Sequence, residues 1–423
     1  MEKLNNRRKI ADEVYFTSIT DPKFKIDRVS VIFITNLSGN AAVNAVVPRL
    51  LAKCNADLTM PQLNRRLAEL YSANLNWGVY SDGDCQLEDM SMTVLSNRYA
   101  LDGEDILKDS IKILLDCIFK PKLENGLFPQ QSVEIEKQNQ IDDNNAEINN
   151  KSQYAYLKAY GEAFKGEPAA IRPNGMNSEV EAITPETATE AYKRLIHETR
   201  VEIICVGASD FAGIDSIFAE AFGSIERNPE KLVPTKRSSV KKEVSRFTET
   251  LDIEQSKLVM FHKTSSKNRF PFVIMQSLYG GTESSKLFSN VREKMSLCYY
   301  CYSRGGYAKG FLTTECGVDA DNLERAETEC LNQLEDIKKG SFTEEDINKV
   351  KRYYTNAIRS SVDTVSGVGS QCLSGIMYPE MAIPISEIID RANAVTKEEI
   401  IEAANTLEPD TVFILRSDKE AAK

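Results

Sequence analysis

Apolar residues fall into two patterns along this chain. Short runs rich in Val, Ile, Phe and Tyr read as strands. In the first half these are RVSVIFITN (28–36), LNWGVYS (75–81), DMSMTVLS (89–96) and VEIICVG (201–207); in the second they are KLVMFHKT (257–264), CYYCYS (298–303), FLTTECGV (311–318) and TVFIL (411–415). Between them, DILKDSIKILLDCIF and NLERAETECLNQLEDI carry apolar positions at helical spacing. Strands in hairpin-like order with helices between them predict an α+β fold, its antiparallel or mixed sheets covered by helices mainly on one face.

The pattern occurs twice. Ala182-Ile183-Thr184 matches Ala394-Val395-Thr396 at an offset of 394 − 182 = 212, and each copy runs from a Thr N-cap through an acidic first turn and an amphipathic helix to a β-branched strand. LENGLFPQQSVEIEK matches IKKGSFTEEDINKVK with Phe128 against Phe342, and LNWGVYS matches LCYYCYS with Ser81 against Ser303. Three matches in one order point to a duplicated domain. The Pro-, Lys- and Ser-rich stretch at 226–246 reads as a linker, which predicts domains at 1–225 and 247–423.

Composition narrows the function. A chain of 423 residues with net charge −11 is a poor partner for nucleic acid. No stretch reaches the ~18 apolar residues of a membrane helix, and the N-terminus lacks the apolar core of a secretory signal. Nine scattered cysteines, an odd number, fit reduced thiols and a cytoplasmic location. Cys298 and Cys301 form a C-x-x-C, but a strand through both would point them to opposite faces, so they are expected to be buried structural thiols. The two histidines, His197 and His262, lie far apart and read as a helix-end residue and a core-strand residue. There is no G-x-S-x-G elbow and no P-loop; the glycines of SRGGYAKG fit a hairpin turn.

The phrase YGGTESSKLFSNVREKMSLCYYCYS, in the second copy of a duplicated α+β domain, resembles the pitrilysin (insulinase) family of zinc peptidases, which includes mitochondrial processing peptidase. The residues that carry the resemblance are Gly280-Gly281, Ser285, Leu287-Phe288, Arg292-Glu293-Lys294, Leu297 and Tyr299. It implies two homologous domains forming half of a clamshell, with Arg292 and Tyr299 contacting substrate carbonyls. Both side chains are donors suited to a developing oxyanion.

Active members of that family hold zinc with an H-x-x-E-H motif in the first copy. Here the matching stretch is Asn44-Ala45-Val46-Val47-Pro48: Asn44 and Pro48 stand where the histidines would be and Val47 where the general base would be. The region of the third ligand carries Asp142 and Asp143, in either register. The resemblance is to the YmfF-type subunits that lack the motif, so no metal is expected on this chain and zinc is expected on a partner. It implies a heterodimer with a zinc-motif subunit, acting on a peptide or unfolded polypeptide, with this chain alone inactive. The alternative is an inert homodimeric scaffold or peptide-binding protein.

Overall fold

A computed structural model describes residues 6–418. They form two compact units. Unit 1 takes residues up to Asn145, Ile171–Pro234 and Ser361–Ile383; unit 2 takes Ala146–Ala170, Thr235–Ser360 and the chain from Pro384 onward. Each unit thus contains one segment from the opposite half of the sequence.

Unit 1 is built on six strands: β1 (Arg8–Ala11), β2 (Val14–Thr20), β3 (Ile26–Asn36), β4 (Asn74–Asp82), β5 (Cys85–Leu95) and β6 (Arg200–Gly207). Unit 2 has five: β7 (Ser245–Leu251), β8 (Ser256–Thr264), β9 (Tyr300–Gly306), β10 (Phe311–Val318) and β11 (Leu407–Ser417). The spatial order β2-β6-β3-β5-β4 in the first sheet repeats as β7-β11-β8-β10-β9 in the second. The pairing senses repeat too. The β2–β6 and β7–β11 pairs are parallel and all the remaining pairs are antiparallel. The duplication is therefore a repeat of topology, and the α+β reading holds. Thr184 and Thr396 cap corresponding helices, accepting from the backbone N–H of Thr187 and Glu399.

The unbroken apolar run in β3 follows from burial on both faces. Val29, Val31 and Phe33 enter the main core with Met90, Met92, Val201 and Ile203, while Ile32 and Ile34 face a second layer with Leu87, Ile204 and Val206. That second layer is closed by the Val365–Met377 helix, through Val365, Val368, Cys372 and Leu373. In unit 2 the Lys151–Ala163 helix closes the second face, laying Ala155, Ala159 and Ala163 against Val259, Phe261 and Phe413. Lys263 donates to the Ala163 carbonyl at 3.1 Å, a cation at the helix C-terminus. Two similar helices thus cover the sheet of the opposite half.

His262 lies on β8, fully inside unit 2, and neither ring nitrogen has a hydrogen-bond partner among the described residues. Burial, with a smaller contribution from Lys338, drops its pKa to about 4. The folded chain therefore keeps it neutral while the unfolded chain protonates near pH ~6.5, so stability present above that value is lost as pH falls towards about 4. Integrated over that window the loss is about 3 kcal/mol. His262→Leu should remove this loss, and urea unfolding across the range measures it. The variant's advantage should grow with acidity. Burial raises Asp89 to about 6, which acts in the opposite sense, but the term is common to both proteins and cancels.

Candidate functional site

The Ala41–Leu51 helix carries the stretch that the resemblance matches to the zinc motif. It is enclosed almost all round: nine of its eleven residues are buried. Asn44 spends its amide on Gln86, donating Nδ2 to Oε1 at 3.1 Å. Val47 is fully buried and offers no donor or acceptor. Pro48 sits inside the helix, where its ring removes the N–H that would have bonded the Asn44 carbonyl.

Three amides seal the helix against the chain at 173–175. Gln86 donates to the carbonyls of Ala41 and Pro173, Gln140 to those of Ala42 and Asn174, and Asn144 to that of Gly175. Gly175 adopts φ +68°, and a Cβ there would lie 2.2 Å from Ala42. Only glycine permits that approach.

The Gln130–Ala146 helix carries Asp142 and Asp143, which face different partners. Asp142 pairs along its own exposed face with Gln138, whereas Asp143 accepts from Arg49 at 2.6 Å. Arg49 is buried and lies 4.4 Å from the Trp77 ring centroid. Asp143 is thus taken by a guanidinium that would itself repel a dication. The residues present do not fit a catalytic zinc ion: Asn44, Val47 and Pro48 provide no ligand set, and Asp143 is already engaged.

One group here escaped the sequence reading. Glu88 lies on β5, fully buried, with neither carboxylate oxygen hydrogen-bonded among the described residues. It lines a pocket with Asn44, Val47, Arg194 and Glu198. Burial pushes its pKa well up, against the pull of Arg194. Its sequence signal was a pair of polar residues, Gln86 and Glu88, two apart on the core-facing side of an apolar strand.

Arg292 and Tyr299 come together in unit 2. The helix Leu287–Lys294 ends in Arg292-Glu293-Lys294, and Ser296 then takes a left-handed φ of +51°. That residue turns the chain back, so that the Leu297 N–H bonds the Val291 carbonyl at 3.1 Å. Arg292 Nε donates to the Tyr299 backbone carbonyl at 3.0 Å. Its Nη1 pairs with Glu293 at 3.3 Å and its guanidinium lies 4.6 Å from the Phe288 ring, which fix it further. The Tyr299 side chain is 56% exposed. Its own N–H bonds Gly317 on β10, just ahead of β9. Among the described residues β9 pairs only with β10, which makes it an edge strand, and the exposed phenol stands just ahead of it.

A family model described as the Peptidase M16 inactive domain matches residues 182–354, which include both Arg292 and Tyr299. The chain is also 29% identical over 368 residues to the "Probable inactive metalloprotease YmfF" of Bacillus subtilis (strain 168), covering 85% of each protein. It is similar to the M16, or pitrilysin-like, peptidases. The chain is similar across 98% of its length to a conserved protein of Enterococcus faecalis V583, with TM-score 0.91, 26% identity and 99% of that chain covered. It shares its fold with the M16 inactive-domain structure from Pseudomonas fluorescens, at TM-score 0.78 and 17% identity over 97% and 98% of the two chains. Both the matching family model and the Bacillus subtilis relative are described as inactive. No described helix is long and apolar enough to cross a membrane.

Proposed function

We propose that this chain is the non-catalytic subunit of a two-chain M16 peptidase, and that it presents Arg292 and Tyr299 to a peptide held at a zinc-bearing partner subunit. The observation that carries this reading is the contrast between the two sites. The helix matched to the zinc motif offers no ligand set and is sealed by amides, yet an exposed phenol and a fixed guanidinium stand at the start of an edge strand. An inert scaffold has no need of that pair. A peptide added along β9 would be held by main-chain hydrogen bonds, which tolerate many sequences, with the Arg and Tyr donors at one end of it. There they would meet a carbonyl oxygen as it gains negative charge.

The test is reconstitution. The purified chain alone is expected to cleave no peptide, and peptidase activity is expected on mixing it with an M16 subunit carrying H-x-x-E-H. Activity of the isolated chain, or a partner equally active without it, overturns the proposal.

A further inference from the structure

The C-x-x-C of the second half behaves differently from the sequence expectation. The strand begins at Tyr300, so Cys298 lies ahead of it and the alternation rule does not separate Cys298 from Cys301. Cys301 faces Cys316 directly across the β9–β10 pair, their sulfurs 2.8 Å apart. Cys330 comes from the Leu323–Lys338 helix, and its sulfur lies 3.6 Å from each of them. Cys298 stands just outside this group of three sulfurs, which all lie within 4.8 Å of one another. All four are buried, and all are free thiols.

We infer that Cys301, Cys316 and Cys330 form a thiolate site for a soft divalent cation, zinc above all, which Cys298, in the lead-in to β9, closes as the fourth ligand by turning its side chain inward. At the ~2.3 Å bond length of zinc to thiolate, sulfurs at the corners of a tetrahedron lie about 3.8 Å apart. Two of the recorded separations are already at that spacing, and the third opens by about 1 Å on rotation of a side chain. The donor set is sulfur alone. The nearby Tyr279 hydroxyl, fully buried, is committed to Thr314 and to the Cys330 carbonyl. Sulfur donors exclude magnesium and calcium and select zinc. A site with four protein ligands and no opening to solvent is structural, with no position left for a reacting water.

Metal binding would release the thiol protons to solvent and leave four S–metal bonds with no change of redox state. The ion would tie the β9 lead-in and β10 to the Leu323–Lys338 helix. Tyr299 lies between two of the ligands, so its backbone would be pinned from both sides.

The experiment uses the whole chain purified under reducing conditions, loaded with Zn²⁺ and dialysed. Metal analysis should find about one zinc per chain, and X-ray absorption at the zinc edge should show sulfur scatterers at ~2.3 Å. Co²⁺ in its place should give a sulfur-to-cobalt charge-transfer band and a tetrahedral ligand-field spectrum. Cys330→Ser should lose the metal, and Cys298→Ser, altering the least buried ligand, gives a second variant should the first misfold. No bound zinc in the wild type, scatterers of nitrogen and oxygen only, or a Cys301–Cys316 disulfide found by mass spectrometry in the reduced preparation would each overturn the site. None of these readouts depends on peptidase activity, so failure here leaves the proposed subunit role standing, and the reverse.

Discussion

Arg292→Ala and Tyr299→Phe are each expected to lower kcat of the reconstituted two-chain peptidase by about 100- to 1,000-fold, the usual loss when one preorganised oxyanion donor is removed. The loss should fall on kcat more than on KM, because a donor aimed at developing charge contributes little to ground-state binding. Folding should be unaffected by the Tyr299 change, since the phenol is more than half exposed. Arg292→Lys is an informative control. Arg292 uses Nε to hold the Tyr299 carbonyl and keeps further N–H groups for substrate. An ammonium cannot fix itself and donate in the same fork geometry, so Lys should recover little. Wild-type rates in both the Ala and the Phe variants, read with a fluorogenic peptide, would remove the pair from the mechanism.

The second large effect concerns stability. Phe261→Ala should destabilise unit 2 by about 3–5 kcal/mol, the cost of emptying a large buried ring site. Phe261 is 1% exposed and meets Phe311 at 5.4 Å and Phe164 and Tyr156 at 6.0 Å between ring centroids. Those rings join the Lys151–Ala163 helix to β8 and β10. Amide hydrogen exchange should therefore quicken first in that helix, while β3 and β5 of unit 1 keep their protection. A cost below about 1 kcal/mol, with exchange in the helix unchanged, would mean that the cluster does not hold the helix in place.

Much of this architecture was legible from patterning. All eight strands read from the sequence form, because runs such as VSVIFI and KLVMFH are buried on both faces and leave little ambiguity. The strand β7, SRFTETL, lay partly inside the expected linker and has only Phe247 and Leu251 to mark it. As an edge strand it alternates between half-buried and exposed positions. The short β1 and the strand β2 also escaped the reading. That Asn44, Val47 and Pro48 offer no zinc ligand set was legible because it depends on residue type alone. The engagement of Asp143 was not, since choosing it over Asp142 depends on Arg49 reaching across from another helix. The thiol cluster was hidden by a two-residue error in where β9 begins, which was enough to place Cys298 on the wrong face. A helical stripe such as Ala155, Ala159 and Ala163 announces that it packs, but nothing in its spacing says against which sheet.

That last ambiguity bears on how the molecule is made. While the polypeptide leaves the ribosome, the first sheet has all its strands once Gly207 has emerged, yet the helix that covers its second face ends only at Met377. At typical synthesis rates the intervening stretch of about 170 residues takes roughly 10–30 s to appear. Throughout that interval Ile32, Ile34 and Leu87 present a bare greasy surface on the nascent protein, so in the cell this chain should be a client of co-translational chaperones until its last third is in hand.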